Sequence, residues 1–81
     1  MKIRAEFYSR LRDIVGAPNL EIALREGATI ADLFGELLGR YPALGDFERS
    51  VLFGIGVEFV DRKHLLKEGD VVAIMPPVQG G

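Results

Sequence analysis

The chain has no cysteine and a single histidine, His64. Without cysteine it can form no disulfide, no reactive thiolate and no zinc site built on sulfur, and it suits a reducing compartment. One histidine cannot make a metal centre by itself. An excess of either charge is also missing. Ten Lys and Arg stand against twelve Asp and Glu, with the signs interspersed and no basic run, so the footprint of a nucleic-acid binder is absent. No apolar run reaches membrane-spanning length. The opening MKIRAEFY alternates like a strand instead of pairing a basic start with an apolar block, so no secretory leader is expected and the expected location is the cytoplasm. Length is short as well: 81 residues, 48% of them hydrophobic and 27% charged, suit one globular domain. Such a chain buries a thin two-layer core and hardly a deep cleft, which disfavours a self-contained enzyme. Glu21, Glu26, Asp46 and Glu48 show no metal-ligand spacing, so solvated charge is expected there, with no bound metal or cofactor.

What the chain does have is clear periodicity. In KIRAEFY, Ile3, Ala5 and Phe7 fall on one side and Lys2, Arg4, Glu6 and Tyr8 on the other, which predicts a strand. SRLRDIVGAP opens on Ser9 as a candidate cap, carries Leu11, Ile14 and Val15 at helical spacing, and is stopped by Gly16 and Pro18, predicting a short helical turn. NLEIALRE alternates again through Leu20, Ile22 and Leu24, predicting a second strand antiparallel to the first. The clearest helix lies in GATIADLFGELLGRYP. Thr29 is placed to cap it, Asp32 to complete a capping box, and Ile30, Leu33, Phe34, Leu37, Leu38 and Tyr41 form one stripe that ends at Pro42.

Beyond Pro42, ALGDFERS predicts irregular structure. VLFGIGVEFVD is apolar and β-branched with glycines at 54 and 56, which predicts a hairpin turning near Gly56. No GK[ST] accompanies these glycines, so a bulge or turn is expected and not a phosphate loop. RKHLLKEGD reads as a loop with a turn at Glu68-Gly69, and His64 as an ordinary loop residue. DVVAIM, a continuous apolar run, predicts a central strand beside the first one, buried on both faces. The order predicts an α+β fold with one main helix packed across one face of the sheet.

The chain then runs into MPPVQGG. Pro76 and Pro77 fix φ and lack amide donors, so strand pairing should stop there and Val78 and Gln79 should be held extended. Gly80-Gly81 packs nothing and is costly to order, so stability does not explain it. Either it is a frayed end of no consequence, or its carboxylate is the working part. A tip without Cβ atoms is thin enough to enter a narrow channel.

The run EGDVVAIMPPVQGG, together with FYSRLRDIVG, resembles the MoaD/ThiS group of ubiquitin-like sulfur carriers over essentially the whole chain. The paired prolines before Gly80-Gly81 resemble its molybdopterin branch, the small subunits of molybdopterin synthase, more than its thiamine branch. Gly56 departs from the many relatives that carry asparagine at the hairpin. The resemblance implies a ubiquitin-like β-grasp with a five-stranded mixed sheet, residues 1–75 forming the domain and 76–81 an extended, flexible tail. It further implies that an E1-like adenylating enzyme uses ATP to activate the Gly81 carboxylate, and that a sulfur donor converts it to a thiocarboxylate. The large synthase subunit, joined to the small one in a heterotetramer, would then take up the tail for sulfur transfer to cyclic pyranopterin phosphate. The small subunit would carry sulfur without being a catalyst.

Alternation also marks a partner surface. Tyr8 opposes the Ile3, Ala5 and Phe7 side, and Met75 the Val72 and Ile74 side, so Tyr8, Met75 and Phe59 are expected on an open, apolar face that a partner covers, which the resemblance implies is the large subunit. The alternative is that they pack under the loop at residues 43 to 50. Two rival functions share the same Gly80-Gly81: a ubiquitin-like modifier joined to lysines, and a carrier serving thiamine, cysteine, tRNA or a tungsten cofactor.

Overall fold

Strand β1 (Lys2–Phe7) sets the frame, because its alternation is complete: Ile3, Ala5 and Phe7 are buried while Lys2 and Arg4 are exposed. In the computed structural model, which describes residues 1–77, the order continues through α1 (Arg10–Val15), β2 (Asn19–Ala23), α2 (Ile30–Arg40), a 3-10 helix (Pro42–Phe47), β3 (Leu52–Ile55), β4 (Glu58–Val60) and β5 (Val71–Met75). The strands form one sheet in the order β2-β1-β5-β3-β4. β1 runs antiparallel to β2 and parallel to β5, and β3 runs antiparallel to both β5 and β4, so the sheet is mixed. With α2 covering one face, this is the β-grasp arrangement, an α+β fold, and β5 is its central strand.

Helix α2 starts where its cap dictates. The Thr29 hydroxyl accepts the Asp32 amide at 3.3 Å, and the Asp32 carboxylate accepts the Thr29 amide at 2.9 Å. That backbone hydrogen bond from Thr29 is the main reason the Asp32 carboxyl titrates below its ordinary range. The first free amides of the helix are met by the β4–β5 loop: Ile30 donates to the His64 carbonyl at 3.0 Å and Ala31 to the Arg62 carbonyl at 2.9 Å. His64 therefore serves through its backbone. Ile30, Leu33, Phe34 and Leu37 enter the core, where the Phe34 and Phe53 rings meet edge to face at 5.6 Å. The Arg62 guanidinium lies over both rings, 5.3 and 5.4 Å from their centroids, and donates to the Glu48 carbonyl.

Three expectations need correction. Ser9 occupies the N-cap position of α1 but makes no capping bond; at φ 57°, ψ −132° its backbone is outside the extended region in which a cap side chain can reach the helix amides. It is instead the first central residue of a turn that Leu11 closes by donating to the Tyr8 carbonyl at 3.2 Å. Residues 42–47 are a 3-10 helix and not irregular, because Pro42 suits a first turn and Leu44 must turn inward, where it is fully buried. β5 is not buried on both faces. α2 covers only the side of Val72 and Ile74, leaving Val71 42% exposed and Ala73 and Met75 half-buried. Gly54 is no bulge, since it sits in regular register between Ala73 and Phe59. Gly56, with φ 63°, opens a two-residue turn with Val57. Among the described residues, no helix is long and apolar enough to cross a membrane.

Candidate functional site

The uncovered face of the sheet is where the sequence expectations converge. In the parallel pair β1–β5 the last matched residues are Phe7 and Ile74, so Tyr8 and Met75 follow side by side on the opposite face. In the antiparallel pairs, Gly54 lies between Ala73 on β5 and Phe59 on β4, and cross-strand partners share a face. These registers gather residues from both ends of the chain. Tyr8, Gly54, Gly56, Val57, Glu58, Phe59, Ala73 and Met75 line one shallow groove of about 330 Å³.

The groove is mainly apolar and open to solvent. Phe59 is 71% exposed and Tyr8 41%, while Met75 is half-buried. Exposed aromatic surface of this kind on a small domain marks an interface, because water contact costs about 25 cal/mol per Å² that a partner could relieve. None of these residues packs under residues 43–50. The 3-10 helix of that segment packs against α1 and α2, and its Leu44 points into the core. Phe59 also faces a neighbouring depression of about 460 Å³, reached through Val51–Phe53 and Val60–Lys63.

Charge near the groove is mixed, since Lys63 and His64 line an adjoining depression together with Glu58 and Phe59. Glu58 also lines the groove itself, and the Tyr8 hydroxyl donates to the Glu6 carboxylate at 3.3 Å. No cationic side chain is among its lining residues. Among the described residues no group of three or more His, Cys, Asp or Glu side chains could hold a metal ion.

At the Tyr8 end of this groove β5 finishes. Met75 makes the last register pair, with Leu52, and the Tyr8 amide donates to the Ile74 carbonyl at 3.2 Å. Pro76 and Pro77 follow half-buried, and neither can donate to a neighbouring strand. The expected tail residues Val78, Gln79, Gly80 and Gly81 lie outside the described residues. Sequence reasoning singled out Tyr8, Phe59 and Met75 and missed Gly54, Gly56, Val57 and Glu58 as groove residues. The signal for Gly54 was present: a two-residue turn at Gly56-Val57 pairs position 54 with position 59.

Known proteins match along nearly the full length. Residues 5–81 match the ThiS family. A molybdopterin synthase sulfur carrier subunit from Chlamydomonas reinhardtii is 32% identical over 83 residues, covering 100% of both chains. Small archaeal modifier protein 1 from Haloferax volcanii is 27% identical over 88 residues, covering 94% of this chain and 97% of the relative. Among solved structures, one from Pyrococcus furiosus assigned as molybdopterin converting factor, subunit 1, superposes with a TM-score of 0.86 at 30% identity, covering 96% of this chain and 99% of that one. The chain belongs to the ThiS family, as a sulfur carrier of the MoaD/ThiS type.

Proposed function

We infer that the chain is the small subunit of a molybdopterin synthase, carrying sulfur on the C-terminal carboxylate of Gly81 for the making of molybdenum cofactor. The observation that carries this reading is the pairing of an uncovered apolar groove with the end of the central strand, so that a partner seated on Tyr8, Phe59 and Met75 meets the chain where it passes into Pro76, Pro77 and the tail. Residues 1–75 act as the handle and 76–81 as the reactive arm.

The chemistry needs activation because a carboxylate is a poor acyl donor. In an E1-like partner a Gly81 carboxylate oxygen attacks the α-phosphorus of ATP, pyrophosphate leaves, and a sulfide equivalent from the sulfur donor then displaces AMP. The product is a thiocarboxylate, whose sulfur is the nucleophile for cyclic pyranopterin phosphate in the large subunit. Water cleaves the resulting acyl–sulfur bond and returns the plain carboxylate. The chain itself supplies no catalytic group. Gly80 lets the arm pass a narrow channel, and the prolines keep it from folding back.

The name of the Haloferax relative supports a second reading, in which the same activated glycine is joined to lysines of target proteins. Delivery of the sulfur to thiamine, cysteine, tRNA or a tungsten cofactor is the remaining branch. Intact-mass spectrometry after incubation with a cognate adenylating enzyme, ATP and a sulfur source tests the shared step: one carboxylate oxygen should be exchanged for sulfur. Deleting Gly81, or adding one residue after it, should abolish the exchange without altering the fold. Exchange in the extended protein without prior trimming refutes the assignment of Gly81. A denaturing immunoblot of cells separates the two readings, since a carrier remains at its own mass and a modifier forms a ladder lost with Gly81.

A further inference from the structure

Among the described residues, Ser9 is the only one other than glycine with a positive φ. Its angles, φ 57° and ψ −132°, are those of the first central position of a type II′ turn, which glycine fills without strain and a residue with a Cβ does not. Folding alone therefore favours glycine here over serine. The turn also stands at the root of the arm. In the parallel pair β1–β5 Phe7 lies opposite Ile74, so Tyr8 comes level with Met75, and its amide donates to the Ile74 carbonyl at 3.2 Å. A parallel ladder would continue by giving the Tyr8 carbonyl to the amide of residue 76, but Pro76 has none. That carbonyl accepts the Leu11 amide instead, at 3.2 Å. β1 is thereby turned away from β5 at the residue where the arm begins, and Ser9 is left exposed there with its hydroxyl holding no helix amide.

We propose that Ser9 is a specificity-determining contact residue for the protein that takes up the arm: its hydroxyl hydrogen-bonds a main-chain group at the mouth of that partner's channel. A partner that draws in Pro76, Pro77 and the residues after them must bring its channel mouth against the place where the arm leaves the domain, and Ser9 follows directly on the last β1 residue paired there. A hydroxyl both donates and accepts, so an amide or a carbonyl of the partner satisfies it. Glycine would relieve the strain only by deleting that hydroxyl. Strained residues of this kind gather at sites of contact and catalysis, where the side chain has a task that stability does not set. The identity of the partner as the large synthase subunit rests on the function inferred above; the strain and the exposed hydroxyl do not.

The test separates backbone from side chain with three variants of the full chain. Ser9→Gly relaxes the turn and removes the hydroxyl, Ser9→Ala keeps the strain and removes the hydroxyl, and Ser9→Asn relaxes the turn while keeping a hydrogen-bonding side chain. Melting temperature should follow the backbone: Ser9→Gly and Ser9→Asn should melt a few degrees above the wild type, and Ser9→Ala level with it. Binding to the large subunit, measured by titration calorimetry, should follow the side chain. It should weaken roughly three- to tenfold for Ser9→Gly and Ser9→Ala, the loss of one neutral hydrogen bond, with Ser9→Asn closer to the wild type. Affinities that group Ser9→Gly with Ser9→Asn, or that are alike in all four proteins, overturn the proposal, as does a Ser9→Gly protein no more stable than the wild type. If the wild-type chain does not bind the large subunit at all while the relaxed variants still melt higher, the function inferred above has failed and this contact falls with it.

Discussion

The two faces of one five-stranded sheet have been put to opposite uses. The face under α2 carries Ile3, Ala5, Phe7, Ile22, Phe53, Val72 and Ile74, each no more than 3% exposed. The other carries Tyr8, Ala73, Met75 and Phe59, which are apolar too but remain partly or largely in water. Apolarity alone therefore does not separate the covered face from the open one on this domain. What separates them is whether the chain has a second layer to place over each face, and the described residues supply only one long helix. Under the proposed function, the uncovered face is the one a partner would cover.

The largest effect should come from placing the same charge on each face. A domain of this size has only about 4–12 kcal/mol of stability, and Phe7→Glu puts an unpaired carboxylate where the side chain is 1% exposed, which should unfold it. Circular dichroism should show loss of the cooperative transition. Met75→Glu should leave a folded protein, because the side chain can turn to solvent, yet weaken large-subunit binding by about 3 kcal/mol, roughly a hundredfold, when that charge is desolvated. If Met75→Glu unfolds the chain as Phe7→Glu does, and any folded remainder binds normally, the faces have been assigned in reverse.

Smaller changes sharpen the contrast from the covered side. Thr29→Ala removes the α2 cap and should cost about 1 kcal/mol in denaturant unfolding, with binding through the open face unchanged. A parallel loss of affinity would mean that α2 also contributes to docking. The smallest effect concerns pH. The folded state lowers the Asp32 pKa, chiefly through the Thr29 backbone hydrogen bond, below its ordinary value of 3.8. Its ionised form is thus the stabilising one. That contribution is complete above the ordinary value and is lost as pH falls through the lower folded value. Asp32→Asn should flatten this part of the acid-unfolding profile, and the groove, which shares no group with it, should bind its partner equally in both proteins at neutral pH.

Much of the fold was legible because local chemistry speaks for itself where a pattern is strong. The alternation of β1, the Thr29–Asp32 capping box and the turn at Gly56 each depend on neighbours within a few positions. The failures share a cause. DVVAIM is as apolar as a strand buried on both sides, yet nothing within it tells that only one helix is available to cover the sheet. Residues 42–47 look irregular until the core asks Leu44 to turn inward. Ser9 looks like a cap, but the turn joining β1 to α1 takes its backbone elsewhere.

For the site, parity along β1 and β5 was enough to place Tyr8 and Met75 opposite the core, since successive side chains of any strand alternate by covalent geometry. The sequence by itself thus determined which residues could share a face, where α2 begins and which runs pair as strands. Only the tertiary structure decided that β3 lies on the far side of β5 from β1, that α2 takes one face and leaves the other, and that Gly54 lies beneath Met75. Those decisions turn on burying apolar surface between segments tens of residues apart, a balance settled by the whole chain and recorded in no single stretch of it.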